Sequence, residues 1–175
     1  MPKIYVIVGP TASGKTAYSI KLAKRVNGEI ISADSRQVYK GLDIGSGKVT
    51  KREMAGVPHH LLDVVSPKKV FTVSDFKKLA DQKIKEIIAR GKTPIIVGGT
   101  GFYIQAVVDN LVLPDVGPDK KLRDELSKKT STELFAILKK LDSARAKTID
   151  SQNPVRFIRA IEIAKKLGKV PEVGF

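Results

Sequence analysis

Residues 9–16 read Gly9-Pro10-Thr11-Ala12-Ser13-Gly14-Lys15-Thr16, a complete Gly-x-x-x-x-Gly-Lys-[Ser/Thr] pattern. Glycines at its ends let the backbone curl so that successive N–H groups point at phosphate oxygens. A helix starting there adds partial positive charge. Lys15 can reach a leaving or transferred phosphate, and the Thr16 hydroxyl can ligate Mg²⁺. The alternative, a chance Gly-rich turn, fits the flanks poorly. An apolar run, KIYVIV at 3–8, precedes the pattern and an amphipathic stretch follows it. The pattern specifies phosphate. It does not specify ATP.

A carboxylate should accompany such a loop. The apolar run at 94–97 ends in Gly98-Gly99, with no Asp at its end. Asp34 and Asp63 both follow apolar stretches and can serve. Asp34 closes the run 29–33, so it should emerge at the carboxyl edge of a parallel sheet, where ligands of open α/β sheets bind. There it can hold Mg²⁺ through water or take a proton from a nucleophile. The bland reading is an Asx-turn at a strand end.

His59-His60 raises the question of a metal. Adjacent histidines point in different directions and no third ligand is evident, so packing or hydrogen bonding is the preferred reading. Arg156, Arg159 and Lys166 share a face of the stretch 154–167. An arginine pair can grip phosphates bidentately, or simply be a solvated face.

These residues need a scaffold. The runs 3–8, 29–33 and 94–97 read as buried strands, and 61–65 as a further short one. Helices are predicted over 15–26, closed by Asn27-Gly28, and from a capping-box start at Thr72-x-x-Asp75 to about Arg90, with Gly91 as the stop. Gly98-Gly99-Thr100-Gly101 turns into another helix. Strand and helix alternate, which predicts an α/β fold: a P-loop NTPase-like parallel sheet flanked by helices. Residues 35–60 show no period. After Pro114 the character changes. Residues 118–141 and 154–167 read as Lys-rich helices, with a capping box at Thr130-x-x-Glu133 and Asn153-Pro154 opening the last one. The expected division is a P-loop catalytic core at 1–116, a small helical insertion or RNA-facing cap at 117–150, and a return helix of the core at 151–175, shortened relative to the family below.

Composition bounds the rest. Of 175 residues, 42% are hydrophobic and 29% charged, a globular balance long enough for a core. There is no cysteine, so disulfides and thiolate metal sites are excluded. No apolar run approaches the roughly 20 residues that span a bilayer. MPKIYVIVGP is read as a first strand and not as a leader. The expectation is a cytoplasmic monomer that avoids membranes. Net charge is +14, with 8 basic and 3 acidic residues in 1–50, 10 and 7 in 51–116, and 14 and 8 in 117–175. Such an excess fits a polyanionic partner or a solvated Lys-rich surface.

GPTASGKT at 9–16, SADSRQVYKGLDIGSGK at 32–48, GVPHHLLD at 56–63, GGTGFYI at 98–104 and NPVRFIRAIEI at 153–163 occur in that order. Together these five blocks closely resemble the bacterial tRNA dimethylallyltransferases (isopentenyl-tRNA transferases). The resemblance implies transfer of a dimethylallyl group from dimethylallyl diphosphate to N6 of the adenine beside the anticodon, with Mg²⁺ as cofactor. It implies that residues 9–16 hold a diphosphate and that Lys15 acts on it. Asp34 matches the general base and Thr100 the threonine beside the reacting centre. Ser35, Arg36 and Gln37 match the stretch that contacts the target base. Arg123 matches a basic residue of the tRNA contact region, and Val155, Arg156, Phe157, Ile158 and Arg159 match a further tRNA-contacting segment. Two departures stand out. Ser46-Gly47 replaces the family's usual Thr-Ala, and the chain lacks the later, basic part that helps enclose the anticodon stem-loop.

Two other readings use the same residues. A small P-loop kinase for a nucleoside or metabolite would use Lys15, Thr16 and Asp34, with Arg145 or the Arg156–Arg159 pair as a lid. It gives no role to DSRQVYKG. A non-catalytic RNA-binding remnant would fit the charge, but should have lost Lys15 or Asp34.

Overall fold

The computed structural model describes residues 3–171. The chain divides into two units between Leu111 and Val112.

The first unit is built on four strands: β1 (Tyr5–Val8), β2 (Gly28–Ser32), β3 (His59–His60) and β4 (Thr93–Gly98). Their order is β1-β4-β2-β3 and every pairing is parallel. The central pair β2 and β4 align Ile30 with Ile95 and Ile31 with Ile96. Alternation along the pleat sends these side chains to two cores. Ile30, Ile95 and Val97 join Ile20 and Ala23 of α1 (Lys15–Val26). Ile31 and Ile96 join Phe76, Ala80, Ile84 and Ile87 of α3 (Val73–Ala89) and Ile104 of α4 (Gly101–Val108). Burial on both faces explains why these strands read as unbroken apolar runs.

Local signals fix the helix ends. Asn27 takes the left-handed conformation after α1, at φ 52°. Thr72 and Asp75 form the predicted capping box of α3, each side chain accepting from the other's amide. A second box, Thr50 with Glu53, opens the short helix α2 (Lys51–Met54) inside the stretch read as aperiodic. The predicted strand at 61–65 does not form. Leu61 and Asp63 sit at φ 62° and 55°, which no strand accommodates. Val65 makes only a single bridge to Tyr39.

The ends of β2 and β4 are locked together. The Ala33 amide donates to the Val97 carbonyl at 2.8 Å. A Cβ on Gly98 would stand 2.1 Å from the Ala33 carbonyl oxygen, so only glycine fits. This junction sets Asp34 beside the Gly99-Thr100 turn.

The second unit is helical: α5 (Lys120–Leu126), α6 (Ser131–Leu141), α7 (Ser143–Thr148) and α8 (Pro154–Leu167). The predicted continuous helical stretch 118–141 is interrupted at 127–130, where Thr130 caps α6 through its box with Glu133. Asn153 caps α8, accepting from the Val155 and Arg156 amides. The expectation that 151–175 returns to the core is corrected for its described part. Phe157, Ala160, Ile161 and Ala164 of α8 share one core with Leu126, Leu134, Leu138 and Ala146, so α8 belongs to the helical unit. Residues 172–175 of that call lie outside the described residues.

Candidate active site

Parallel strands put their carboxyl ends on one edge, and the sequence-predicted residues of the first unit gather there. Thr11, Ala12, Lys15, Thr16, Asp34 and Gln37 line a single cavity of about 320 Å³. Ser32, Val97, Gly98 and Gly99 supply the strand-end wall.

The loop between β1 and α1 takes its shape from two left-handed positions, Ala12 at φ 61° and Gly14 at φ 81°. Gly14 is the N-cap of α1 and has no side chain to satisfy the first amides, which leaves them open to an anion. The Lys15 amine turns back over the loop, donating to the Pro10 carbonyl and, at 3.4 Å, to Ser13 Oγ. Thr16 follows with its side chain exposed. Ser13 and Gly14 line a neighbouring hollow with Ala12, Lys15 and Thr16. Gly9 and Pro10 face a different, apolar hollow beside Val8 and Ile104.

Asp34 is both an Asx-turn and a cavity residue. Its Oδ1 accepts from the Arg36 and Gln37 amides at 2.8 and 3.3 Å. That turn fixes the carboxylate, and among the described residues no protein hydrogen bond reaches Oδ2. Thr100 stands next to it: its Oγ1 accepts from the Ser35 amide at 3.0 Å, and its own amide donates to the Ala33 carbonyl at 3.3 Å. Arg36 is exposed outside the cavity lining. Asp63, the other carboxylate considered, is held by Lys48 at 2.6 Å and does not line the cavity.

Sequence reasoning placed none of Ser19, Ile30, Ser46, Gly47, Val49 and His59 in the site, and these complete the lining. The two histidines diverge. His60 Nε2 lies 2.7 Å from Glu29 Oε2, which Arg90 also grips at 2.7 Å. His59 Nδ1 lies 2.8 Å from the Val57 carbonyl. A carbonyl only accepts, so Nδ1 carries the proton and Nε2 is left as an acceptor. Burial pushes this imidazole below its ordinary pKa, against the hydrogen bond to Val57, and neighbouring His60 adds to the drop.

The remaining predicted contacts lie in the helical unit. Arg123 donates from Nε and Nη2 to the two oxygens of Glu162, and Arg159 donates to the same carboxylate at 3.4 Å. Arg156 pairs with Asp150 at 3.2 Å. Val155 is exposed and Ile158 half-buried. Phe157 is 0% exposed, edge-on to Phe135, and so is a packing residue with no surface to offer RNA.

The model of the IPP transferase family matches residues 37–173. The chain belongs to that family. It is 51% identical over 173 residues to a tRNA dimethylallyltransferase of Pediococcus pentosaceus, covering 97% of this chain and 56% of that protein. It is 50% identical over 167 residues to the tRNA dimethylallyltransferase of Anoxybacillus flavithermus, covering 95% and 54%. Among solved structures, the tRNA isopentenylpyrophosphate transferase of Bacillus halodurans is 47% identical with TM-score 0.65, over 97% of this chain and 57% of that one. A eukaryotic dimethylallyltransferase, described as acting on tRNA, is 34% identical with TM-score 0.83, over 97% and 43%. This IPP transferase chain thus spans a little over half the length of the curated relatives it matches.

Proposed function

We propose that the chain carries the catalytic core of a tRNA prenyltransferase that moves a dimethylallyl group from dimethylallyl diphosphate to N6 of the adenine beside the anticodon. The observation that carries this reading is one cavity lined by both a phosphate loop and Asp34, whose carboxylate is fixed by its own turn.

The chemistry follows from that pairing. The N6 lone pair forms a bond to the allylic C1, while the C1–O bond breaks and its electron pair leaves on the diphosphate. The open amides at the start of α1 and the Lys15 ammonium stabilise the charge gathering on that leaving group. Asp34 accepts the N6 proton. Thr100, through the Ser35 amide, holds the Asp34 turn in place. The adenine must leave its stack to enter the cavity. Thr16 and Asp34 offer a hydroxyl and a carboxylate, the hard oxygen donors Mg²⁺ takes, and the ion would supply further charge neutralisation for the diphosphate. The +14 net charge suits an RNA backbone, the exposed Arg36 and Val155 suit a contact surface, and the reaction belongs in the cytoplasm with the chain as a monomer. Of the lid candidates in the kinase reading, the Arg156–Arg159 pair is already engaged by Asp150 and Glu162.

The test incubates the chain with Mg²⁺, labelled dimethylallyl diphosphate and an anticodon stem-loop RNA. Label in the RNA, lost with Asp34→Ala, is the expected result. ATP turnover with small acceptors and no label in RNA would replace this reading with the kinase.

A further inference from the structure

The segment 39–48 is a turn held far more firmly than its solvent exposure requires. Gly41 and Gly47 take left-handed conformations at φ 71° and 57°. The second of these gives a reason for Gly47 in place of the family's usual alanine. The Gly47 amide donates to the Ile44 carbonyl at 3.2 Å and the Lys48 amide to the Asp43 carbonyl at 3.1 Å. Ser46 Oγ closes on the Leu42 carbonyl. Gln37 Nε2 ties the turn to the Asp34 loop, reaching the Ser46 and Gly47 carbonyls at 3.4 and 3.3 Å. Lys48, with a side chain only 5% exposed, donates to Asp43 and Asp63 at 2.6 Å and to the Tyr39 carbonyl at 2.9 Å.

One face of this turn, Ser46 and Gly47, is cavity wall. On the same turn Ile44 is 99% exposed. Scattered surface apolar residues are ordinary. Ile44 covers nothing, so its own fold gains no burial from it. Tight turns favour small polar residues and glycine over a β-branched one. Exposed Arg36 and Lys40 lie close by in sequence, on the same cross-tied loop. An exposed apolar side chain on a cross-tied turn that also walls a reaction cavity, with exposed cations in the same stretch of chain, matches the way proteins hold a nucleic acid open: apolar side chains enter the gap between bases while cations take the backbone.

We propose that Ile44 is an RNA-contacting wedge, set against the bases that flank the adenine drawn into the cavity and stabilising the unstacked loop. This rests on the prenyltransferase reading and names a residue that determines how its RNA is held.

The experiment uses the whole chain and an anticodon stem-loop with 2-aminopurine at the target position. That base lacks the N6 amine, so its fluorescence reports unstacking without turnover. Transfer to the unmodified stem-loop and binding of inorganic diphosphate are measured in parallel. Ile44→Ser is expected to lower kcat/KM for the stem-loop roughly tenfold, the scale of one aliphatic side chain removed from a buried contact. It should also lose most of the fluorescence gain and leave diphosphate binding unchanged. Ile44→Leu should restore both RNA readouts. Ile44→Ser matching the parent in transfer and fluorescence overturns the wedge alone. A parent chain that binds diphosphate but neither transfers nor unstacks overturns the prenyltransferase reading, and the wedge with it.

Discussion

Arg123 grips Glu162 with two arms of its guanidinium, Nε to Oε1 at 2.7 Å and Nη2 to Oε2 at 2.8 Å, on a carboxylate whose side chain is 1% exposed. The Asp119 amide adds a further bond to Oε1 at 2.9 Å. A residue that by resemblance belongs to the RNA contact region therefore also joins α5 to α8. Glu162→Ala would strand a half-exposed arginine and an amide. We expect a loss of about 2 kcal/mol in denaturant unfolding of the helical unit, below the full cost of breaking a fully buried pair because Arg123 remains partly hydrated.

The same carboxylate makes stability depend on acid. Burial pushes the Glu162 carboxyl up, but the Arg123 and Asp119 hydrogen bonds outweigh it and hold the group below its ordinary value. Glu29 follows the same pattern, with His60 and Arg90 outweighing burial. Both folded pKa values lie below the unfolded ones, so the stabilisation is complete above the ordinary glutamate pKa of about 4.3 and is lost as pH falls through the lowered values. Thermal melts of the parent should fall steeply below about pH 4.3. Those of Glu162→Gln should fall less.

Asp34→Asn separates geometry from proton transfer. The amide oxygen still accepts from Arg36 and Gln37, so the turn survives, while the base is gone. Transfer is expected to drop by about 10²- to 10⁴-fold with RNA and diphosphate binding retained. Retained transfer would remove Asp34 from the chemistry.

Thr100→Val removes the acceptor for the Ser35 amide without changing volume much. A loosened Asp34 turn should lower kcat by roughly tenfold and leave KM for the diphosphate substrate unchanged, and Thr100→Ser should recover the rate.

Gly98→Ala tests the strand junction. Its Cβ would collide with the Ala33 carbonyl backbone, which cannot rotate away. A loss of roughly 3 kcal/mol is expected in urea unfolding of the sheet unit.

The elements that were legible carried their own punctuation. Lys15–Val26, Val73–Ala89 and Pro154–Leu167 carry starts or stops visible in the sequence at Asn27, Thr72, Gly91, Asn153 and Gly168. The box Thr50-x-x-Glu53 carried the same signal, and surrounding glycines masked it. LLDVV looked like a strand because composition says nothing about positive φ at Leu61 and Asp63. Amphipathicity told that α8 buries a face, but not whose core receives it. The cavity's first side was legible for a simple reason: a P-loop and a carboxylate that each follow a strand must meet at one edge of a parallel sheet. Its other side depends on Lys48 bonding to residues before and after it in the chain, and no local pattern reveals that path. Ser46, Gly47 and His59 were missed with it.

Among the described residues the sheet unit packs its cores around Ile31, Phe76 and Ile96 and around Ile30 and Ile95, and the helical unit keeps a core of separate membership around Leu134, Phe157 and Ile161. Mass action stabilises only what a ligand holds. Saturating inorganic diphosphate should therefore slow amide exchange along Ile30–Ser32 and Ile95–Val97 while the amides of α6 and α8 exchange at their former rate. The chain would then behave as two thermodynamic compartments, of which the small substrate addresses one.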